Sequence, residues 1–125
     1  MIIGFDKETQ PLTDYEENTI LPVVFGLLSG RVGVQNAIKN GLIVKKLSEY
    51  KITQERVRKV INQIRTRGLI PCLIASSKGY YIAETEEELK DYEESLEGRE
   101  SAIRAVRESI RRQRIERYEY RDTLF

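Results

Sequence analysis

The chain contains no histidine, so the commonest metal ligand and the usual general base are missing together. Its one cysteine, Cys72, excludes an intramolecular disulfide. Inside the apolar run 69–75 it is expected to be a small buried hydrophobe rather than a nucleophile. There is no glycine-rich phosphate loop and no nucleophile set beside a base, so an enzyme is not expected, nor a cofactor, metal or small-molecule ligand. The N-terminus lacks a basic segment leading into a long apolar run, and no signal peptide is read there. The longest apolar stretch, 20–28, contains Pro22 and Gly26 and is far too short for a bilayer. A soluble, cytoplasmic protein with no membrane partner is the expectation.

What the chain has in quantity is charge. It is 33% charged and 40% hydrophobic over 125 residues, a composition suited to a modest core under a polar surface. Net charge is only +1, but the signs are segregated. The segment 39–67 holds Lys39, Lys45, Lys46, Lys51, Arg56, Arg58, Lys59, Arg65 and Arg67 against Glu49 and Glu55. The segment 84–97 is acidic almost throughout, opposed by Lys90. Local field, more than net charge, governs attraction to a polyanion.

The first twelve residues show little pattern and are read as an arm. Thr13-Asp14-Tyr15-Glu16 is a capping box opening a helix in which Tyr15, Thr19, Val23 and Leu27 share a face with Ile20, Val24 and Leu28. Pro22 either kinks this helix or starts a second segment, and Gly30 and Gly33 end it. Residues 37–39 suit a short edge strand. Asn40 is expected to cap a helix from Gly41 to about Tyr50. Lys51 and Ile52 form a tight turn, with Ile52 plugging the angle between two helices. Thr53 then caps a helix reaching Arg67, whose Val57, Val60, Ile61 and Ile64 form one stripe, and Gly68 ends it.

A hairpin follows, with strands 69–75 and 80–83 around Ser76-Ser77-Lys78-Gly79. Tyr80 and Ile82 should point inward and Tyr81 outward. Pro71 confines the first strand to an edge or a late start. A second capping box at Thr85 opens a long helix, acidic at its start and rich in arginine at its far end, as the helix dipole favours. Leu89, Tyr92, Leu96, Arg99, Ile103, Val106, Ile110, Gln113 and Arg117 recur at heptad spacing, a seam weakened by Arg99 and Gln113 and interrupted at Gly98. The helix either pairs with its copy through Leu96, Ile103, Val106 and Ile110 or folds back on its own domain. A homodimer is favoured, because the preceding elements already form a closed unit and leave this stripe uncovered.

On the helix from Thr53, the residues opposite the apolar stripe are Glu55, Lys59, Asn62 and Thr66, flanked by Arg58, Gln63 and Arg65. Such side chains read base edges: Arg and Lys suit guanine, Asn and Gln suit adenine. Thr53, Gln54 and Glu55 occupy the end that enters a groove most deeply. Glu55 either accepts from cytosine or simply favours the helix N-terminus. Ser77 and Lys78, with Ser76, suit phosphate contact at the hairpin tip; the alternative is an ordinary polar turn.

On the segments from Ala37 through Leu47, Thr53 through Gly68, and Ser77 through Glu87, the chain resembles the winged-helix family of bacterial and phage DNA-binding proteins. It is most similar to phage-encoded members whose wing ends in Gly-Tyr-Tyr, here Gly79-Tyr80-Tyr81, and runs into an acidic-then-basic helix. Asn40-Gly41-Leu42 departs from the stronger helix opening usual there. The resemblance covers about residues 13 to 110. It implies a mainly α fold with a small β-hairpin (α+β), and a transcription regulator or an accessory protein of replication or recombination. The expected organisation is an arm 1–12, a winged-helix domain 13–84, a C-terminal helical extension 85–117 and a tail 118–125. The expected partner is double-stranded DNA, bound sequence-specifically with helix 53–67 in the major groove and wing 69–83 on the backbone. Thr53, Gln54, Glu55, Arg58, Lys59, Asn62, Arg65, Ser77 and Lys78 are the candidate contacts. A protein–protein adaptor using the same fold is the alternative, suggested by the near-neutral net charge.

Overall fold

A computed structural model describes residues 10–119. Residues 1–9 of the expected arm and 120–125 of the expected tail lie outside the described residues. The chain is an α+β protein, mainly helical with one two-stranded antiparallel sheet, and divides after Leu89 into two compact units.

The first unit opens on the reciprocal bonds of the capping box. Glu16 N donates to Thr13 Oγ1 at 3.1 Å, and Thr13 N donates to Glu16 Oε1 at 2.9 Å. A π-helical turn, Glu16–Ile20, then leads into α1 (Leu21–Leu28), with Pro22 in its first turn. Proline has no N–H for the carbonyl four residues back and its ring crowds that carbonyl. That residue, Asn18, lies inside the wider π turn, so the proline begins a segment without breaking the helical path.

α2 spans Asn40–Lys46 and differs from the sequence expectation at both ends. Asn40 is not the cap but the first helical residue, preceded by Lys39, which makes no side-chain capping bond. The helix also stops short of Tyr50. The N–H of buried Leu47 is shared between the carbonyls of Ile43 and Val44, the sign of a helix tightening, and a 3₁₀ turn follows at Ser48–Tyr50. Lys51, at φ 54, reverses the chain.

α3 (Gln54–Thr66) is capped by Thr53, whose Oγ1 accepts from Arg56 N at 3.3 Å. Val57, Val60, Ile61 and Ile64 are all buried, and with Ile20, Val24 and Leu28 from the first helix and Ile43 and Leu47 from the α2 region they form the core. Ile61→Ala should therefore cost about 3 kcal/mol in urea denaturation, against a few tenths for an exposed position.

The hairpin is shorter than expected. Residues 69–72 form no strand; Pro71 lacks a donor and Cys72 adopts a left-handed φ of 63°, so pairing begins only afterwards. Cys72 is exposed, contrary to its apolar neighbourhood in sequence, because this reversal turns it outward while Ile70 and Leu73 on either side are buried. β1 (Leu73–Ser76) pairs antiparallel with β2 (Gly79–Ile82) in the register Leu73↔Ile82 to Ser76↔Gly79. Tyr80 and Ile82 pack on the core. The segment at 37–39 contributes a single bridge: Ile38 N donates to Tyr80 O at 3.1 Å and Tyr80 N to Ile38 O at 2.9 Å.

The second unit is built on α4 (Glu86–Arg114), which begins just before it and ends in a π-helical turn, Ile115–Glu119. Glu88 N donates to Thr85 Oγ1 at 3.2 Å at the helix start. α4 passes through Gly98 without the expected interruption; an exposed helical glycine costs only about 1 kcal/mol against alanine, too little to break so long a helix. No residue of α4 is buried. Among the described residues, no helix is long and apolar enough to cross a membrane.

Candidate nucleic-acid interface

The apolar stripe of α3 faces the core, which forces its polar side outward. Gln54, Arg58 and Asn62 are exposed; Glu55, Lys59 and Arg65 are half-buried. Arg58, Lys59, Asn62 and Arg65 come together around one open concavity of about 440 Å³, completed by Ile61 of the same helix and by Ala75 and Tyr80 of the hairpin. The first turn of α3 is also tied to α2, since Asn40 Nδ2 donates to Gln54 O at 3.2 Å. Gln54 Oε1 in turn accepts from Arg58 at 3.5 Å, a long bond.

The arginines at the two ends of α3 serve a different purpose. Arg56 donates to both carboxylate oxygens of Glu16, at 2.7 and 2.6 Å, and to the carbonyls of Gln10 (3.0 Å) and Pro11 (2.9 Å). Residues 10 and 11 of the expected arm are thus bonded to the domain. Arg67 grips Glu17 in the same forked way, at 2.6 and 3.1 Å. The hydrogen bonds from Arg56 hold the Glu16 carboxyl below the usual carboxylate range despite its burial, and those from Arg67 do the same for Glu17; both guanidiniums are raised in return. Glu16 is only 6% exposed, whereas the Glu17 pair lies in solvent and contributes less. Two members of the basic block are therefore structural clamps.

Ser77 and Lys78 are not brought to the α3 groove. They line a second concavity of about 450 Å³ with Val34, Ser76, Tyr81, Glu84 and Glu88. Consecutive strand residues point to opposite faces, so Tyr80 serves one concavity and Tyr81 the other. The Ser76 hydroxyl closes the turn, donating to Gly79 O at 3.1 Å and accepting from Lys78 N at 3.1 Å. Lys78 thus stands on a surface of mixed charge, with two carboxylates nearby.

The sequence expectation did not include Ala75 and Tyr80, which line the α3 concavity. The alternation of β2 gave the facing of Tyr80, but only the register Ala75↔Tyr80 sets that pair over α3. The chain matches no family model, no curated protein and no solved structure.

Proposed function

We propose that the first unit is a winged helix-turn-helix that binds double-stranded DNA, with α2 and α3 as the two helices and the β1–β2 hairpin as the wing. The observation that carries this reading is the convergence of Arg58, Lys59, Asn62 and Arg65 on one open groove along α3. Three cations supply phosphate or guanine contacts, and Asn62 is suited to adenine. Thr53, Gln54 and Glu55 stand at the leading end of the same helix, and Ser77 and Lys78 lie along the backbone from the hairpin tip. The chain acts as a regulator of transcription or an accessory factor in replication or recombination, without catalytic chemistry of its own. The exposed stripe of α4, with Leu96 at 39%, Ile103 at 69%, Val106 at 63% and Ile110 at 57%, is read as the seam of a homodimer.

Fluorescence anisotropy with duplexes selected from fragmented genomic DNA tests the reading. Binding should weaken steeply with salt. Lys59→Ala and Arg58→Ala should each weaken it; a residue reading guanine bidentately should lose about 1–3 kcal/mol and relax specificity at one position. Unchanged affinity in both variants would remove α3 from the interface. A protein-binding adaptor is the second reading, favoured by the carboxylates Glu84 and Glu88 beside Lys78. It predicts no salt-dependent duplex binding at all.

A further inference from the structure

The charge order along α4 bears on how two copies would meet. With Leu96, Ile103 and Ile110 at one seam position of the heptad and Val106 at the other, one flank of the seam carries Glu93, Glu100, Arg107 and Arg114. The sign changes halfway along. The opposite flank carries the small residues Ser95, Ala102 and Ser109.

We propose that two copies of α4 pair antiparallel, with the two-fold axis between Arg104 and Ala105; this rests on the reading of the α4 stripe as a dimer seam. In an antiparallel pair, like flanks face each other. In this register Ile103 packs on Val106 of the second copy, Glu100 lies beside the second copy's Arg107, and Glu93 beside its Arg114. Ala102 faces Ser109 across the other flank, and their small size lets the helices approach closely. Arg99 meets Ile110, where its stem covers the isoleucine and its head reaches water.

A parallel pair does the reverse. It sets Arg99 against Arg99 inside the seam and aligns acidic half with acidic half, so burial and repulsion both oppose it. Within one helix Glu100 already pairs with Arg104 at 3.3 Å and Arg114 with Glu119 at 2.8 Å. All four side chains are more than half exposed, so these pairs contribute little and exchange readily for the intermolecular ones.

The test uses the full chain and two double variants, Glu93→Arg with Glu100→Arg, and Arg107→Glu with Arg114→Glu. Each alone should sediment as a monomer at concentrations where the unaltered chain is a dimer, and an equimolar mixture should dimerise again. In a parallel pair these positions do not face one another, so variants that dimerise as the unaltered chain does would overturn the antiparallel arrangement. Spin labels at Lys90→Cys, with Cys72→Ser, read orientation directly. The antiparallel register predicts a separation of about 44 Å from the helical rise, and a separation under about 20 Å would mean parallel pairing. An unaltered chain that stays monomeric at tens of micromolar would instead overturn the dimer reading itself, and the antiparallel pair with it.

Discussion

Glu16→Ala should be among the most damaging single substitutions in the first unit, costing about 3–5 kcal/mol. Its carboxylate is nearly buried, and it accepts two bonds from Arg56 and a third from the Thr13 amide. Removing it takes from the Arg56 side chain, itself only 14% exposed, both of its charge-assisted bonds to Glu16. It also removes half of the capping box. Urea denaturation at neutral pH measures the loss, and a cost under about 1 kcal/mol would show that the pair behaves like an exposed surface bridge.

The same pair gives the fold an acid sensitivity of known sign. Glu16 titrates lower in the folded chain than its ordinary value near 4.5, chiefly because of its bonds to Arg56. As pH falls through 4.5 the unfolded chain takes up this proton first. The stabilisation is therefore complete above that pH and is lost as pH falls through the lower folded value. Glu16→Gln should be less stable at neutral pH and show a flatter loss of stability with acid. Glu17→Gln should change little, since that pair is exposed.

Gly79→Ala is the second large effect expected, about 4 kcal/mol from backbone strain of 1–3 kcal/mol plus the loss of adjoining hydrogen bonds. Gly79 has φ +118, and an added Cβ would stand 2.5 Å from Ile38 O, 2.6 Å from Ile38 C and 2.9 Å from Lys39 N. All three are backbone atoms and cannot rotate away. The strand must retreat, and the paired bonds between Ile38 and Tyr80 break with it. Gly68→Ala is the control: its φ is also positive, but nothing lies within 4 Å, so only torsional strain of about 1–2 kcal/mol is expected. Thermal melts compare the two, and amide exchange at Tyr80 should accelerate in the Gly79 variant alone. Equal losses would mean that the contact with Ile38 is not close.

Some of this architecture is legible in the sequence alone. The spacing of Val57, Val60, Ile61 and Ile64 fixed the phase of α3, and with it the outward placement of Arg58 and Asn62. Thr13 and Thr53 cap as their local patterns implied. These signals are local: a cap and its amide stand three residues apart, and a helical stripe repeats every turn. Segments governed by backbone reversals carry no such signal. The 69–72 stretch looked like strand from its apolar composition, yet Pro71 and the left-handed Cys72 turn it out of the sheet.

The sequence by itself determined the helical phases, the caps and the separation of a basic segment from an acidic one. Only the tertiary structure decided which arginines hold the domain together and which line the groove. Arg56 and Arg58 differ by two places in the same helix, and nothing local distinguishes their chemistry. Their fates separate because about 100° per residue turns Arg56 toward the first helix, where Glu16 waits 40 residues back in the chain, and turns Arg58 toward the groove beside the hairpin. A partner at that distance in sequence leaves no periodic trace, so its choice emerges only when the core brings the helices together.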